Sequence, residues 1–178
     1  MSDQETKQRT YADGAVIFAD GERAGEAYIL QRGQVHLSKL IGGREQTVDT
    51  VEPGQVFGEM AILGDMPRMA TAHAVGDVVC GAITRQDFQT RLDRMGEDTR
   101  DMVNFLIVYA RDVMPRGIDT GELTHEDAED RRQMHDRVRE MMASGLPINA
   151  ATSSSDPLTA NLIRSLIAYA SRRLPRGK

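Results

Sequence analysis

The chain has 178 residues, of which 40% are hydrophobic and 28% are charged, a composition typical of a folded globular protein whose core needs no disulfide support. Its 22 basic and 27 acidic side chains give a net charge of −5, which argues against a domain that grips nucleic acid over its whole surface. The single cysteine, Cys80, excludes an internal disulfide framework and a multi-cysteine metal site, and the four histidines lack paired spacing, so we expect no metal.

Neither a secretory leader nor a membrane span is predicted. The segment Met1–Thr10 is polar, and the longest apolar run, Phe105–Ala110, is far shorter than the roughly 18 residues that a membrane-spanning helix requires. We therefore expect a cytoplasmic protein that does not bind a membrane.

Short β-rich runs separated by glycine-containing turns occupy residues 11–83. Because the runs are short and closely spaced, with no long helix between them, they predict an antiparallel barrel or roll. The candidate strands are Ala15–Phe18, Glu26–Gln31, Gln34–Leu40, Glu45–Val51, Ala70–Val75 and Val78–Ile83, and the turn signals include Arg32-Gly33 and Gly76-Asp77.

The periodicity becomes helical after residue 83. Thr84 and Asp87 have the spacing of a capping box, which predicts a helix that ends at Gly96. A second helix is predicted from Asp98 to Val113, and its apolar residues surround it almost completely. We therefore expect that helix to be covered on more than one side.

The C-terminal 61 residues, 118–178, form a different region with nine basic and nine acidic side chains. Two further helices are predicted there. The first is Thr124–Met142, and the second begins at the Asp156-Pro157 pair, a favourable N-cap and first-turn combination, and ends before Pro175.

An internal similarity links the two regions. Val103–Gly117 reads VNFLIVYARDVMPRG and Ile163–Gly177 reads IRSLIAYASRRLPRG, so seven of fifteen positions are identical at an offset of 60 residues. Two amphipathic helices that share a proline stop would explain the similarity. A local duplication, or two helices that dock into equivalent grooves, is the alternative.

The segment Phe57–Thr71, FGEMAILGDMPRMAT, carries the candidate chemistry. Gly58 permits close backbone approach, and one helical turn at Glu59–Leu63 would offer unpaired N–H groups to an anion. Arg68, brought back across a loop, has a planar fork that suits phosphate oxygens, and Glu59 would accept from a hydroxyl donor. Together these groups indicate a sugar phosphate, although an exposed ion pair between Glu59 and Arg68 is the alternative.

This segment resembles the phosphate-binding cassette of cyclic nucleotide-binding domains, which occur in protein kinase A regulatory subunits, nucleotide-gated channels and catabolite activator-type regulators. The resemblance rests on Phe57-Gly58-Glu59 followed by a short apolar turn and Pro67-Arg68-Met69-Ala70-Thr71, and it covers about residues 11–113. It implies an α+β fold, an antiparallel β-roll (jelly roll) with flanking helices and an extra C-terminal helical region. The implied organisation is a flexible N-terminus at 1–10, a nucleotide-binding domain with its lid helices at 11–117, and a helical extension at 118–178.

The resemblance also implies residue roles. Glu59 would accept from the ribose 2′-hydroxyl, Arg68 would bind the exocyclic phosphate oxygens, and both side chains would face the pocket rather than the apolar core. Met69 occupies the place where cGMP-selective members often carry Thr or Ser, so cAMP is favoured over cGMP. The implied ligand-binding set is Phe57, Gly58, Glu59, Met60, Ala61, Arg68, Met69, Ala70 and Thr71 in the cassette, with Tyr109 and Arg111, beside Phe105, as candidate lid residues.

These features predict a sensor rather than an enzyme, because no nucleophile–base or metal motif accompanies the cassette. Nucleotide binding would move the C-terminal helices and alter contact with an unidentified protein partner, and a homodimer through those helices is an open alternative. No nucleic acid partner is expected, because the C-terminal region carries no net charge. A catabolite activator-type transcription regulator, or a roll that has lost its ligand and serves as a scaffold or dimerisation unit, are the competing functions.

Overall fold

The computed structural model describes residues 7–113, 125–145, 149 and 156–173. It divides into two compact units, Met1–Arg94 and Met95–Lys178. The domain boundary predicted at residue 117 lies outside the described residues. Among the helices that are described, none is long and apolar enough to cross a lipid bilayer.

The first unit is built on one antiparallel sheet. Its strands follow the order β1-β6-β3-β4, with β2 also paired to β6 and β5 also paired to β3. This architecture confirms the predicted antiparallel β-fold with flanking helices. The strands are β1 (Gln8–Tyr11), β2 (Val16–Phe18), β3 (Glu26–Ile41), β4 (Arg44–Val51), β5 (Val56–Phe57) and β6 (Thr71–Thr84).

Two predicted turns lie inside long strands instead of ending them. The runs on either side of Gly33 join into β3, and the runs on either side of Gly76 join into β6. Gly33 has a φ of 85° at a shift in the pairing register, and a Cβ there would lie 2.6 Å from the Asp77 carbonyl oxygen. The glycines therefore mark β-bulge geometry, because pairing between β3 and β6 carries the chain through both positions.

The ordered roll also begins earlier than expected. Residues 8–10, predicted as part of a flexible N-terminus, lie in β1, which pairs with Val78–Gly81 of β6. The short polar sequence QRTY carries no apolar pattern that would reveal a strand. This segment forms a strand because it pairs with an edge of β6 that would otherwise be unpaired.

The core of the roll is apolar and aromatic. Phe18, Tyr28 and Phe57 form a triangle with ring centroids 5.4–6.2 Å apart, and each such pair contributes about 0.5–1.5 kcal/mol beyond area burial. Cys80 is fully buried among them, as its small apolar character predicts. The remaining buried members of this cluster are Leu30, Val35, Val51, Ala72, Ala74, Val78 and Ala82.

Two helices complete the first unit: α1 (Glu59–Leu63) and α2 (Arg85–Asp93). The predicted single turn at Glu59–Leu63 is confirmed by α1. The predicted capping box is also confirmed, because the Thr84 hydroxyl accepts from the Asp87 N–H while the Asp87 carboxylate accepts from the Thr84 N–H.

The second unit is helical: α3 (Glu97–Val113), α4 (His125–Ala143) and α5 (Pro157–Arg173). The predicted helices coincide with these three to within one or two residues at the bounds. Both α4 and α5 pack against α3, so the expectation that α3 is covered on more than one side is confirmed. The Asp156 carboxylate caps α5 by accepting from the N–H and hydroxyl of Thr159.

Candidate functional site

The loop between α1 and β6 brings Arg68 back to the start of α1. The Arg68 guanidinium donates from Nη1 to the Gly58 carbonyl at 2.9 Å and from Nη2 to the Glu26 carbonyl at 2.7 Å. Only 5% of Arg68 is exposed. Gly58 and Arg68, ten residues apart in the sequence, are therefore in direct contact, as the cassette pattern predicts.

Gly58 cannot be replaced at this junction without a change in geometry. Its φ of 73° lies in the left-handed region, and a Cβ on this residue would lie 2.5 Å from Arg68 Nη1 and 3.1 Å from Phe18 Cε1. Glycine therefore supplies both a backbone conformation and the space in which the guanidinium sits.

An aromatic platform supports the Arg68 cation. Arg68 Cζ lies 3.9 Å from the centroid of the Phe18 ring and 5.8 Å from that of Tyr28. Burial lowers the pKa of Arg68, but a guanidinium keeps its proton at neutral pH. Arg68 is thus a buried cation held by carbonyl oxygens and ring faces. This corrects the expectation that it faces only the pocket, because its contacts are part of the core.

One donor of Arg68 fits an anionic ligand. Arg68 Nε is buried and, among the described residues, has no hydrogen-bond acceptor. A buried donor without an acceptor costs about 1–3 kcal/mol, and more when the group is charged. An oxygen of a phosphate would satisfy this donor and neutralise the guanidinium in one contact, so the residues present fit a cyclic nucleotide phosphate.

Glu59, the first residue of α1, is also buried, with 8% of its surface exposed. Burial raises the pKa of the Glu59 carboxyl to about 7, opposed by a hydrogen bond from its own backbone N–H and by the charge of Arg68. The negative charge of Asp49 adds to the rise. Because Glu59 and Arg68 are both buried, they do not form the exposed surface ion pair that the spacing also allowed.

The raised pKa makes stability depend on pH. Between a usual pKa of 4.5 and a folded-state pKa of about 7, the folded protein holds a proton that the unfolded chain releases. The contribution of this proton to the stability of the folded protein is complete below pH 4.5 and is lost as the pH rises through about 7. Glu59→Gln removes this term, so we expect the ligand-free variant to melt at a higher temperature than the wild type above pH 7 and to have a flatter profile of melting temperature against pH.

Glu52→Gln, at an exposed position of the same roll, is the matched control and should follow the wild-type profile. Parallel profiles for Glu59→Gln and the wild type would show that Glu59 ionises freely in the folded protein.

The other predicted cassette residues surround the same point. Met60 and Ala61 are buried in α1, directly after Gly58 and Glu59. Met69, Ala70 and Thr71 follow Arg68 into β6 and are half-buried. The Thr71 hydroxyl accepts from the Asp20 N–H at 3.1 Å, which ties the end of the cassette to the loop after β2.

The predicted lid residues lie in the second unit, on α3. Tyr109 is buried there, and its ring makes an edge contact with His135 of α4 at 5.7 Å between centroids. Phe105 lies beneath the guanidinium of Arg137, also from α4, at 4.9 Å. Arg111 is placed within the last turns of α3. A lid role for Tyr109 and Arg111 stays a prediction.

Sequence reasoning missed Phe18, Tyr28 and Glu26 as parts of the site. Phe18 and Tyr28 are ordinary strand aromatics in the sequence, and Glu26 contributes only its backbone carbonyl, which has no sequence signal. The sequence offers one hint, because Phe18 is an aromatic residue at the end of a predicted strand. That hint points to the site only when the pairing of β2 with β6 is known.

The sequence profile of the cyclic nucleotide-binding domain matches residues 8–95, the part of the chain that contains the roll, Glu59 and Arg68. Residues 8–95 belong to the cyclic nucleotide-binding domain family. No group of three or more His, Cys, Asp and Glu side chains is placed to hold a metal ion in the described part of the chain.

Three similar proteins illustrate where this cyclic nucleotide-binding domain occurs. The cyclic AMP receptor protein of Thermus thermophilus is 30% identical over 126 residues, which are 70% of this chain and 57% of that protein. The cAMP-dependent protein kinase regulatory subunit of Blastocladiella emersonii is 35% identical over 97 residues, 51% of this chain and 24% of that protein. The regulatory domain of Toxoplasma gondii PKA, solved with cAMP, is 27% identical with a TM-score of 0.50, over 64% of this chain and 42% of that chain.

The chain thus spans little more than half of the first relative and about a quarter of the second. Two of the three are named as regulatory parts of a protein kinase. The similarity is therefore to proteins whose names describe cyclic AMP receptors and regulatory parts of cAMP-dependent kinases.

Proposed function

We propose that this chain is a cyclic nucleotide sensor that prefers cAMP to cGMP and signals through its C-terminal helices to a protein partner in the cytoplasm, without catalysing a reaction. The observation that carries the proposal is the buried Arg68 cation, whose Nε lacks an acceptor among the described residues, beside the start of α1. The solved PKA regulatory domain with cAMP supports the choice of ligand.

The site can bind a cyclic phosphate through charge and backbone donors together. Arg68 would contact the exocyclic oxygens, with N–H groups of Gly58, Met60, Ala61 and Ala70 around it. These groups act in a water-poor setting, where a charge-assisted hydrogen bond is stronger than in bulk water. Phe57 and Thr71 bound the cassette at its two ends and fix its position in the sheet.

Glu59 would hold the ribose. Its carboxyl accepts from a 2′-hydroxyl, and an ionised carboxylate accepts more strongly than a protonated one.

Selectivity for the base rests on what Met69 lacks. The thioether of Met69 has no hydroxyl oxygen that could accept a hydrogen bond from the exocyclic amino group of guanine. Met69 therefore gives guanine no contact that would favour it over adenine. We therefore propose cAMP as the physiological ligand and cGMP as a weaker one.

Transmission would run through α3. A ligand shifts an equilibrium between two helix arrangements only by its differential affinity for them. Contact of the nucleotide with Tyr109 or Arg111 in one arrangement would supply that difference. The partner would be a protein that binds one arrangement of the C-terminal helices, and a second copy of the chain is one such partner.

Calorimetric titration of the full chain with cAMP, cGMP and 5′-AMP tests the proposal. We expect cAMP to bind with at least micromolar affinity, cGMP more weakly, and 5′-AMP, which lacks the cyclic phosphate, not detectably. Ligand at about 100 times its Kd should add roughly 2.7 kcal/mol to the free energy of unfolding. No shift in melting temperature with millimolar cAMP or cGMP would refute the sensor function.

A further inference from the structure

Two acidic residues contact Arg68 through their backbones. The Arg68 backbone N–H donates to the Glu22 carbonyl at 2.8 Å, and Arg68 Nη2 donates to the Glu26 carbonyl at 2.7 Å. Burial lowers the pKa of this guanidinium, and the charges of Glu22, Glu59 and Glu26 are among the influences that oppose it. A carboxylate is, like a phosphate, a charge-assisted partner for a guanidinium, so a carboxylate that reached Arg68 would compete with an anionic ligand.

The structure directs the side chains of Glu22 and Glu26 to other groups. Glu22 Oε2 accepts a hydrogen bond from the backbone N–H of Ala19 at 3.0 Å. The Glu26 carboxylate accepts from Arg9 Nη2, which lies 3.2 Å from Oε1 and 3.1 Å from Oε2. Both carboxylates are therefore bound elsewhere, although their own backbones contact the guanidinium-bearing residue of the cassette.

The ion pair between Arg9 and Glu26 joins the N-terminal strand to the nucleotide site. Arg9 belongs to β1, which pairs with β6, whereas Glu26 is the first residue of β3. The two side chains are 37% and 28% exposed. An ion pair so open to solvent contributes little to the stability of the fold. Its main consequence is the place that it gives to the Glu26 charge.

We propose that Arg9 is a positioning residue of the nucleotide site, which holds the Glu26 carboxylate away from Arg68 and so leaves the Arg68 guanidinium available to the phosphate. Glu26 then serves Arg68 through its backbone carbonyl alone. Without Arg9, the released carboxylate would be drawn to the guanidinium and would compete with the ligand. This inference rests on the proposed function, because the ligand concerned is the cyclic phosphate.

A double-mutant cycle on the full chain, measured by calorimetric titration with cAMP, tests the inference. Arg9→Met keeps an apolar stem but removes the cation, and we expect it to weaken binding by about three- to tenfold. Glu26→Gln keeps the backbone carbonyl and removes the competing charge, so it should bind at least as tightly as the wild type. The double variant should recover the affinity of Glu26→Gln.

The recovery distinguishes positioning from a merely structural role. If Arg9 only stabilised the roll, Arg9→Met would weaken binding equally whether or not Glu26 carried a charge. Equal loss in both backgrounds, or wild-type affinity of Arg9→Met, would therefore overturn the inference. Arg9→Lys keeps the cation and should lose less affinity than Arg9→Met. Arg44→Met removes an exposed arginine from the same roll and should bind as the wild type does.

A crystal structure of ligand-free Arg9→Met separates this inference from the proposed function. We expect the Glu26 carboxylate to lie within hydrogen-bonding distance of the Arg68 guanidinium. A carboxylate that stays away from Arg68 would overturn the inference even if the wild type binds cAMP. Failure of the wild type to bind cAMP would instead refute the proposed function, and the position of the Glu26 carboxylate in this variant would still decide the role of Arg9.

Discussion

Arg68→Ala is expected to weaken cAMP binding by about 30-fold to several thousand-fold, which corresponds to roughly 2–5 kcal/mol for loss of one partner of a buried charge pair. Backbone N–H groups of the cassette share the contact with the phosphate but carry no full charge. Titration calorimetry of the full chain measures the change. Arg44→Ala, which removes an exposed arginine from the same roll, is the matched control and should bind as the wild type does.

The same variant should also lower the melting temperature of the ligand-free protein. Without the guanidinium, the carbonyls of Gly58 and Glu26 lose their donor and the Phe18 ring loses its cation. An unsatisfied buried acceptor costs about 1–3 kcal/mol. The roll should nevertheless fold, since its apolar cluster is intact. Wild-type affinity in folded Arg68→Ala would place the anion site elsewhere and contradict the proposed function.

Gly58→Ala has the second largest expected effect. A Cβ at this position would displace Arg68 Nη1, from which it would lie only 2.5 Å away, and would press on Phe18. We expect affinity for cAMP to fall by about tenfold or more, equivalent to about 1.4 kcal/mol. The left-handed backbone adds a strain of about 1–2 kcal/mol to the folded state, which lowers the melting temperature.

Gly14→Ala separates the two contributions. Gly14 has a φ of 76°, close to the 73° of Gly58, but a Cβ there would meet nothing within 4 Å. The variant should therefore lose stability through strain and keep its affinity. If Gly14→Ala and Gly58→Ala lose affinity equally, backbone strain and not the position of Arg68 controls binding.

Local sequence determined the helices, most of the strand-forming runs and the position of the candidate chemistry. Turn residues, the capping box at Thr84 and Asp87, and helical periodicity act over a few neighbouring residues, so they can be read from the chain alone. The cassette is equally local: Gly58, Glu59 and Arg68 lie within eleven residues. The spacing of these residues and their resemblance to the phosphate-binding cassette were sufficient to predict an anion site. They did not determine which residues of α3 would line a lid.

Tertiary structure decided which residues support that chemistry and in what state. Pairing of β3 with β6 turned predicted turns into bulges and brought the Glu26 carbonyl to Arg68 across 42 residues of chain. Pairing of β2 with β6 brought Phe18 to Arg68 across 50 residues. Burial, which no sequence spacing specifies, raised the pKa of Glu59 to about 7 and made Arg68 a structural group as well as the proposed phosphate-binding one. Packing likewise decided that two similar helices meet each other. Each outcome depends on contacts between distant segments, and their free energies are set only when the chain has folded.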